Sequence, residues 1–122
     1  MQLNKPKYTL FKNTKYALSG FLDIIKNESS FKLQIIFFVL LSICIALLSV
    51  ELKTKAILFI SLFLPILAEI VNSAIERVVD LVTLEYHDLA KRAKDVGATL
   101  VFVSIIVTVI IWVLTIYITI QK

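Results

Sequence analysis

Glycine, proline and cysteine are nearly missing from this chain, with two, two and one in 122 residues. Because Gly20 and Gly97 are the only glycines, neither a GxxxxGK[ST] loop nor a GxGxxG turn can be written. A bound nucleotide would therefore have to be held without a glycine-rich cradle. The single cysteine, Cys44, excludes an internal disulfide, and its place in an apolar run makes it a small packed hydrophobe. The one histidine, His87 in "EYHDL", stands alone and reads as a surface residue rather than a metal ligand. No dense Lys/Arg tract accompanies the formal charge of +4, so nucleic acid is not an expected partner and the excess belongs to loops beside a membrane. Lysines interrupt residues 1–30 before any continuous apolar stretch develops, so no signal peptide is expected. There is no internal repeat or low-complexity segment, and residues 1–122 read as one membrane domain.

What is abundant is apolar side chain. Hydrophobic residues make up 59% and mean hydropathy is +0.91, far above a soluble domain. Charge-free stretches at Leu33–Val50 and Val96–Ile120, with a mostly apolar run from Ala56 to Ile75, predict transmembrane helices over about 31–50, 55–76 and 95–120. Three such segments cannot close a barrel, so the spans should be helical. Phe11, Leu18, Leu22 and Ile25 recur at helical spacing opposite Lys12, Lys15, Ser19, Asp23 and Lys26. That pattern predicts an amphipathic helix over about 8–27 lying on the membrane. "NESS" at 27–30 supplies turn and cap residues, "ELKTK" at 51–55 a short link with Thr54 as helix cap, and 76–95 a charged connection. Lys5, Lys7, Lys12, Lys15, Lys26, Lys32, Arg77, Lys91, Arg92 and Lys94 fall on one side, against Lys53, Lys55 and Lys122 on the other. The N-terminus and the 76–95 connection should therefore be cytoplasmic.

Within "AEIVNSAIERVVD", residues 68–80, the polar residues Glu69, Asn72, Ser73, Glu76 and Asp80 share an arc of about 100° on a helix. Glu69 sits about 20 Å along a helix that starts near Ala56, inside the lipid. An unpaired carboxylate there costs about 2.5–3.5 kcal/mol on insertion scales, so it should face other helices or a polar cavity. For Glu76 and Asp80 an interfacial ion pair, with Arg77 among the partners, is the plain reading; for Asn72 it is glue between helices. Taken together the stripe points to chemistry. Two carboxylates near the interface can hold Mg²⁺ beside substrate phosphates, and the deeper Glu69 can act as general base towards a lipid hydroxyl. Lys94 and Asp95 could add a cation for phosphate and an acceptor for ribose or metal-bound water. Three helices are too few to shield such a stripe, so oligomerisation is expected, with Ala93 and Gly97 as a close-contact pair.

The run "EIVNSAIERVVD", together with "KYALSG" at 15–20, "NESSFKLQ" at 27–34 and "EYHDLAKRAKDVGA" at 85–98, resembles the small prokaryotic integral-membrane diacylglycerol kinases over nearly the whole chain. The resemblance implies an all-α membrane protein, with a surface helix and three spans per subunit, assembled as a homotrimer with shared active sites in the bacterial cytoplasmic membrane. It implies ATP-dependent phosphorylation of diacylglycerol, with Glu69 as base, Glu28 and Glu76 on Mg²⁺, and Tyr16, Asn72, Glu85, Tyr86, His87, Lys94 and Asp95 around the nucleotide. The lipid would pass Ser30, Phe31, Lys32, Leu33, Gln34, Ala98 and Trp112. Thr9, Gln34 and Leu47 stand where the family pattern leads one to expect an arginine, a glutamate and a tryptophan. An undecaprenol kinase of the same superfamily and a non-enzymatic oligomeric membrane protein are the competing readings.

Overall fold

The structure is a computed structural model that describes residues 9–121. Tyr8, where the surface helix is expected to begin, and Lys5, Lys7 and Lys122 of the basic count lie outside those residues. The described residues form five helices.

Helix α1 runs Leu10–Asn27. Thr9 caps it, the hydroxyl accepting the Lys12 N–H at 3.3 Å. None of its residues is buried, and Leu10, Phe11, Leu18 and Leu22 lie open along one side, as a helix floating in a membrane interface requires. Glu28 alone separates α1 from α2, Ser29–Leu47; its extended backbone makes the corner. The first span therefore begins and ends slightly earlier than 31–50. At its end the Lys55 ammonium donates to the Ala46 carbonyl at 2.8 Å, a cation satisfying a helix C-terminus.

The second span is two consecutive pieces, α3 (Leu52–Ser61) and α4 (Phe63–Val82). The sequence read it as one helix over 55–76. Pro65 is the reason for the break: it has no N–H to give the Ser61 carbonyl four residues back. At the joint the Leu62 N–H bonds to Phe59 O at 3.1 Å, a tighter turn. The freed Ser61 carbonyl accepts the Thr108 hydroxyl at 3.3 Å, and the Ser61 hydroxyl accepts the Trp112 indole N–H at 2.9 Å. Thr54 does not cap this helix. It lies buried inside α3 with its hydroxyl 3.4 Å from that of Thr119, while Glu51 holds the cap position.

Helix α5, Asp88–Ile120, is one uninterrupted piece of 33 residues. At 1.5 Å per residue it is about 50 Å long, well over the 30 Å of a hydrocarbon core, so its charged first turns stand outside the lipid. The connection to it is only residues 83–87, not 76–95. The carboxylate stripe stays helical because α4 packs along α5, its most extensive partner. Gly97 makes that packing close: a Cβ there would lie 2.4 Å from Asn72 Oδ1. The small core holds Ile45, Leu58 and Leu62 with Phe38, Leu41 and Trp112 around them. Leu, Ile and Val side chains of α2 and α5 point outward in large numbers, and Cys44, expected to be packed, is exposed among them. Three helices, Ser29–Leu47, Leu52–Val82 and Asp88–Ile120, are long and apolar enough to cross a membrane.

Candidate active site

The α4 stripe faces inward and is graded. Glu69 is 5% exposed and Asn72 and Ser73 are buried, while Glu76 is half-buried and Asp80 exposed. Glu69 owes its burial to helix geometry, one turn after Pro65, and to α2, which covers it. The Ser30 hydroxyl donates to Glu69 Oε1 at 2.7 Å and the Gln34 amide donates to Oε2 at 3.2 Å. Ser30 and Gln34 are four apart, so both reach the same carboxylate from one face of α2. Gln34 thus turns a place where a glutamate is expected into a donor towards Glu69. One turn further along α4, the Asn72 amide donates to Glu76 Oε1 at 3.1 Å, leaving Asn72 Oδ1 buried without a partner.

Arg77 was expected beside Glu76 or Asp80. Its guanidinium instead bridges to Asp23 of α1 and to Glu28, with Nε and Nη2 at 3.3 and 3.2 Å from Glu28 Oε1. Asp80 pairs with Lys94 at 2.6 Å, and Asp95 with Lys91 at 2.6 Å. Glu85, Tyr86, His87, Lys94 and Asp95 line one recess of about 420 Å³ together with Asp80, between the end of α4 and the start of α5. In it His87 caps α5, Nδ1 accepting the Leu89 N–H at 3.2 Å. The Tyr86 phenol donates to Asp88 at 2.8 Å, which raises its pKa above the ordinary value and keeps it a donor.

The remaining expected residues scatter. Tyr16 is exposed on α1, with no hydrogen bond to either cluster among the described residues. Phe31 is fully buried, its ring edge-on to Phe21 at 5.8 Å between centroids; Lys32, Leu33 and Ala98 are exposed. Trp112 is partly buried and lines an apolar groove of about 740 Å³ that reaches from Gln34 to Ile120. No group of three or more His, Cys, Asp or Glu among the described residues forms a metal site by itself. Glu28, Glu76 and the unpartnered Asn72 oxygen are nevertheless hard donors of the type Mg²⁺ accepts, with phosphate oxygens and water to complete the shell. Sequence reasoning missed the Arg77 bridge, the Asp80–Lys94 pair and the Ser61 node. Of these only the Ser61 node left a signal, Pro65, a helix breaker inside a span.

Fold and site together define a small helical membrane protein that carries a buried, doubly hydrogen-bonded carboxylate within one span and a charged recess at its end. The chain belongs to the prokaryotic diacylglycerol kinase family, whose match covers residues 15–116. It is 38% identical over 103 residues to the diacylglycerol kinase of Escherichia coli, covering 84% of each chain. Over 99 residues it is 37% identical to that of Pseudomonas aeruginosa, covering 81% of this chain and 80% of the relative. The enzyme of Helicobacter pylori is 34% identical over 104 residues, covering 84% of this chain and 80% of the relative.

Proposed function

We propose that this chain phosphorylates diacylglycerol with ATP, giving phosphatidic acid and ADP at the cytoplasmic surface of the bacterial inner membrane. The observation that carries the mechanism is the Ser30–Glu69 hydrogen bond. A primary alcohol already donates to the buried carboxylate at 2.7 Å, and the diacylglycerol hydroxyl is the same chemical group. Once it replaces Ser30, Glu69 takes its proton as the hydroxyl oxygen bonds to the γ-phosphorus. The bond from that phosphorus to the bridging oxygen breaks and ADP leaves. Gln34 keeps the other carboxylate oxygen oriented.

Glu28, Glu76 and Asn72 Oδ1 would hold Mg²⁺, which when bound neutralises charge on the nucleotide's phosphates. The recess of Glu85, Tyr86, His87, Lys94 and Asp95, with Tyr16, would receive the nucleotide, where Lys94 brings a cation and Tyr86 and Asp95 bring polar groups. The acyl chains would lie against Leu33, Ala98 and Trp112, and subunits would pair into a homotrimer that shares these parts. An N-terminus on the cytoplasmic side follows from the basic residues of α1 and of the α5 start.

The test is transfer of label from ATP by purified protein in mixed micelles with Mg²⁺, offering diacylglycerol and undecaprenol side by side. Diacylglycerol should be the preferred acceptor. Glu69→Gln keeps groups that can bond Ser30 and Gln34 but cannot take a proton, so turnover should fall about 10²–10⁴-fold with assembly intact. No product with either lipid would overturn the enzymatic reading, and a polyprenol preference would overturn the choice of substrate.

A further inference from the structure

We infer that Arg77 is a positioning residue for Glu28: its guanidinium clamps the corner between the surface helix and the first span so that one Glu28 oxygen is presented for metal binding. This rests on the proposed role of Glu28. Residue 77 follows Glu76 and so projects about 100° away from the α4 stripe, towards the α1–α2 corner. There it meets the only residue between those helices. Glu28 occupies the N-cap position of α2, yet its side chain makes no capping bond.

Both Nε and Nη2 of Arg77 converge on Glu28 Oε1, and Nη1 holds Asp23 four residues before the end of α1. No hydrogen bond falls on Oε2 among the described residues, so the clamp leaves that oxygen available. A single arginine can do this because its planar fork spans two acceptors at once, which a lysine cannot. Without it, the Glu28 carboxylate would be drawn to the unsatisfied N–H groups of the first turn of α2. Asp23 and Glu28 would then repel each other and the corner would loosen. Glu28 is only 20% exposed at its side chain while Arg77 is 45% exposed, so the arginine closes the outer side of the corner.

Residues that orient a metal-binding carboxylate typically contribute 10–100-fold to metal affinity. The experiment is binding of Mn²⁺ to the full-length protein in detergent micelles with a non-hydrolysable ATP analogue, read by electron paramagnetic resonance without turnover. Arg77→Ala should weaken Mn²⁺ binding by about 10–100-fold and raise the Mg²⁺ needed for half-maximal activity in parallel, while KM for diacylglycerol stays within about twofold. Unchanged or tighter Mn²⁺ binding in Arg77→Ala would overturn the inference, the latter showing competition rather than positioning. So would a matching rise in lipid KM, or loss of assembly, which mark a general structural role. Glu28→Gln separates the two layers. If it weakens Mn²⁺ binding and Arg77→Ala does not, only the clamp fails; if Glu28→Gln itself binds Mn²⁺ normally, the metal role proposed for Glu28 fails and takes the clamp with it.

Discussion

The Ser30 hydroxyl stands 2.7 Å from Glu69, the place that the proposed mechanism gives to the substrate hydroxyl. If Ser30 only keeps the place, its removal must be mild and that of the base severe. Ser30→Ala should lower turnover by less than about tenfold against the 10²–10⁴-fold expected for Glu69→Gln, both measured by phosphate transfer in micelles. Equal losses would make Ser30 an obligatory part of the reaction. Gln34 follows the same logic from the other side, since it lends a donor to Oε2 where another carboxylate would add like charge. None of this is legible in the sequence, because Ser30 and Gln34 are 39 and 35 residues from Glu69. The spacing within α4 is legible, because the period of a helix fixes which residues share a face.

Between elements, two contacts decide how the site is held. Gly97 lets α5 approach α4 so closely that a methyl group would meet Asn72 Oδ1 at 2.4 Å. In Gly97→Ala the Asn72 side chain must swing or the helices part, at a cost of about 1–3 kcal/mol for overpacking. The bond from Asn72 to Glu76 should be lost with it, so activity should drop and nucleotide affinity fall while the chain still inserts; titration with an ATP analogue checks this. The second contact ties α1 to α4. Arg77 lowers the pKa of Asp23, first through its hydrogen bond, and the Asn27 amide and the Lys26 charge act in the same direction. A carboxyl with a lowered folded-state pKa stabilises the tie above its ordinary value of about 3.9, and that contribution is lost as pH falls through the lowered value. A spin label at Ser19→Cys, in a Cys44→Ala background, should become more mobile over that acid range. Asp23→Asn should remove the part of that transition due to Asp23.

At the scale of the whole molecule, a single chain buries few side chains and turns Leu, Ile and Val outward along α2 and α5. In water that surface would drive aggregation; in lipid it is matched by acyl chains or by another subunit. Glu69 and the charged recess proposed for the nucleotide occupy different stretches of the chain, one under α2 and the other between α4 and α5. If neighbouring subunits share sites, two inactive variants defective in different halves should complement each other. Mixing Glu69→Gln with Asp95→Asn during reconstitution should recover a measurable fraction of wild-type transfer, while either alone recovers none. Absence of recovery in mixed oligomers would confine each site to one subunit.

The sequence by itself determined the class of fold and the inward stripe. Charge-free length sets helices that cross lipid, and a period of 3.6 residues puts Glu69, Asn72 and Glu76 on one side whatever surrounds them. The joint is a different matter: the apolar run reads as one helix over 55–76, and the structure shows it broken after Ser61, where Pro65 cannot donate a hydrogen bond. Only the tertiary structure decided which side chains meet: Ser30 and Gln34 on Glu69, Arg77 on Glu28, Lys94 on Asp80, Thr108 and Trp112 on Ser61. Those pairings depend on the register of one helix against another. That register is set by small residues and bulky neighbours across the contact, which a single chain read along its length does not pair.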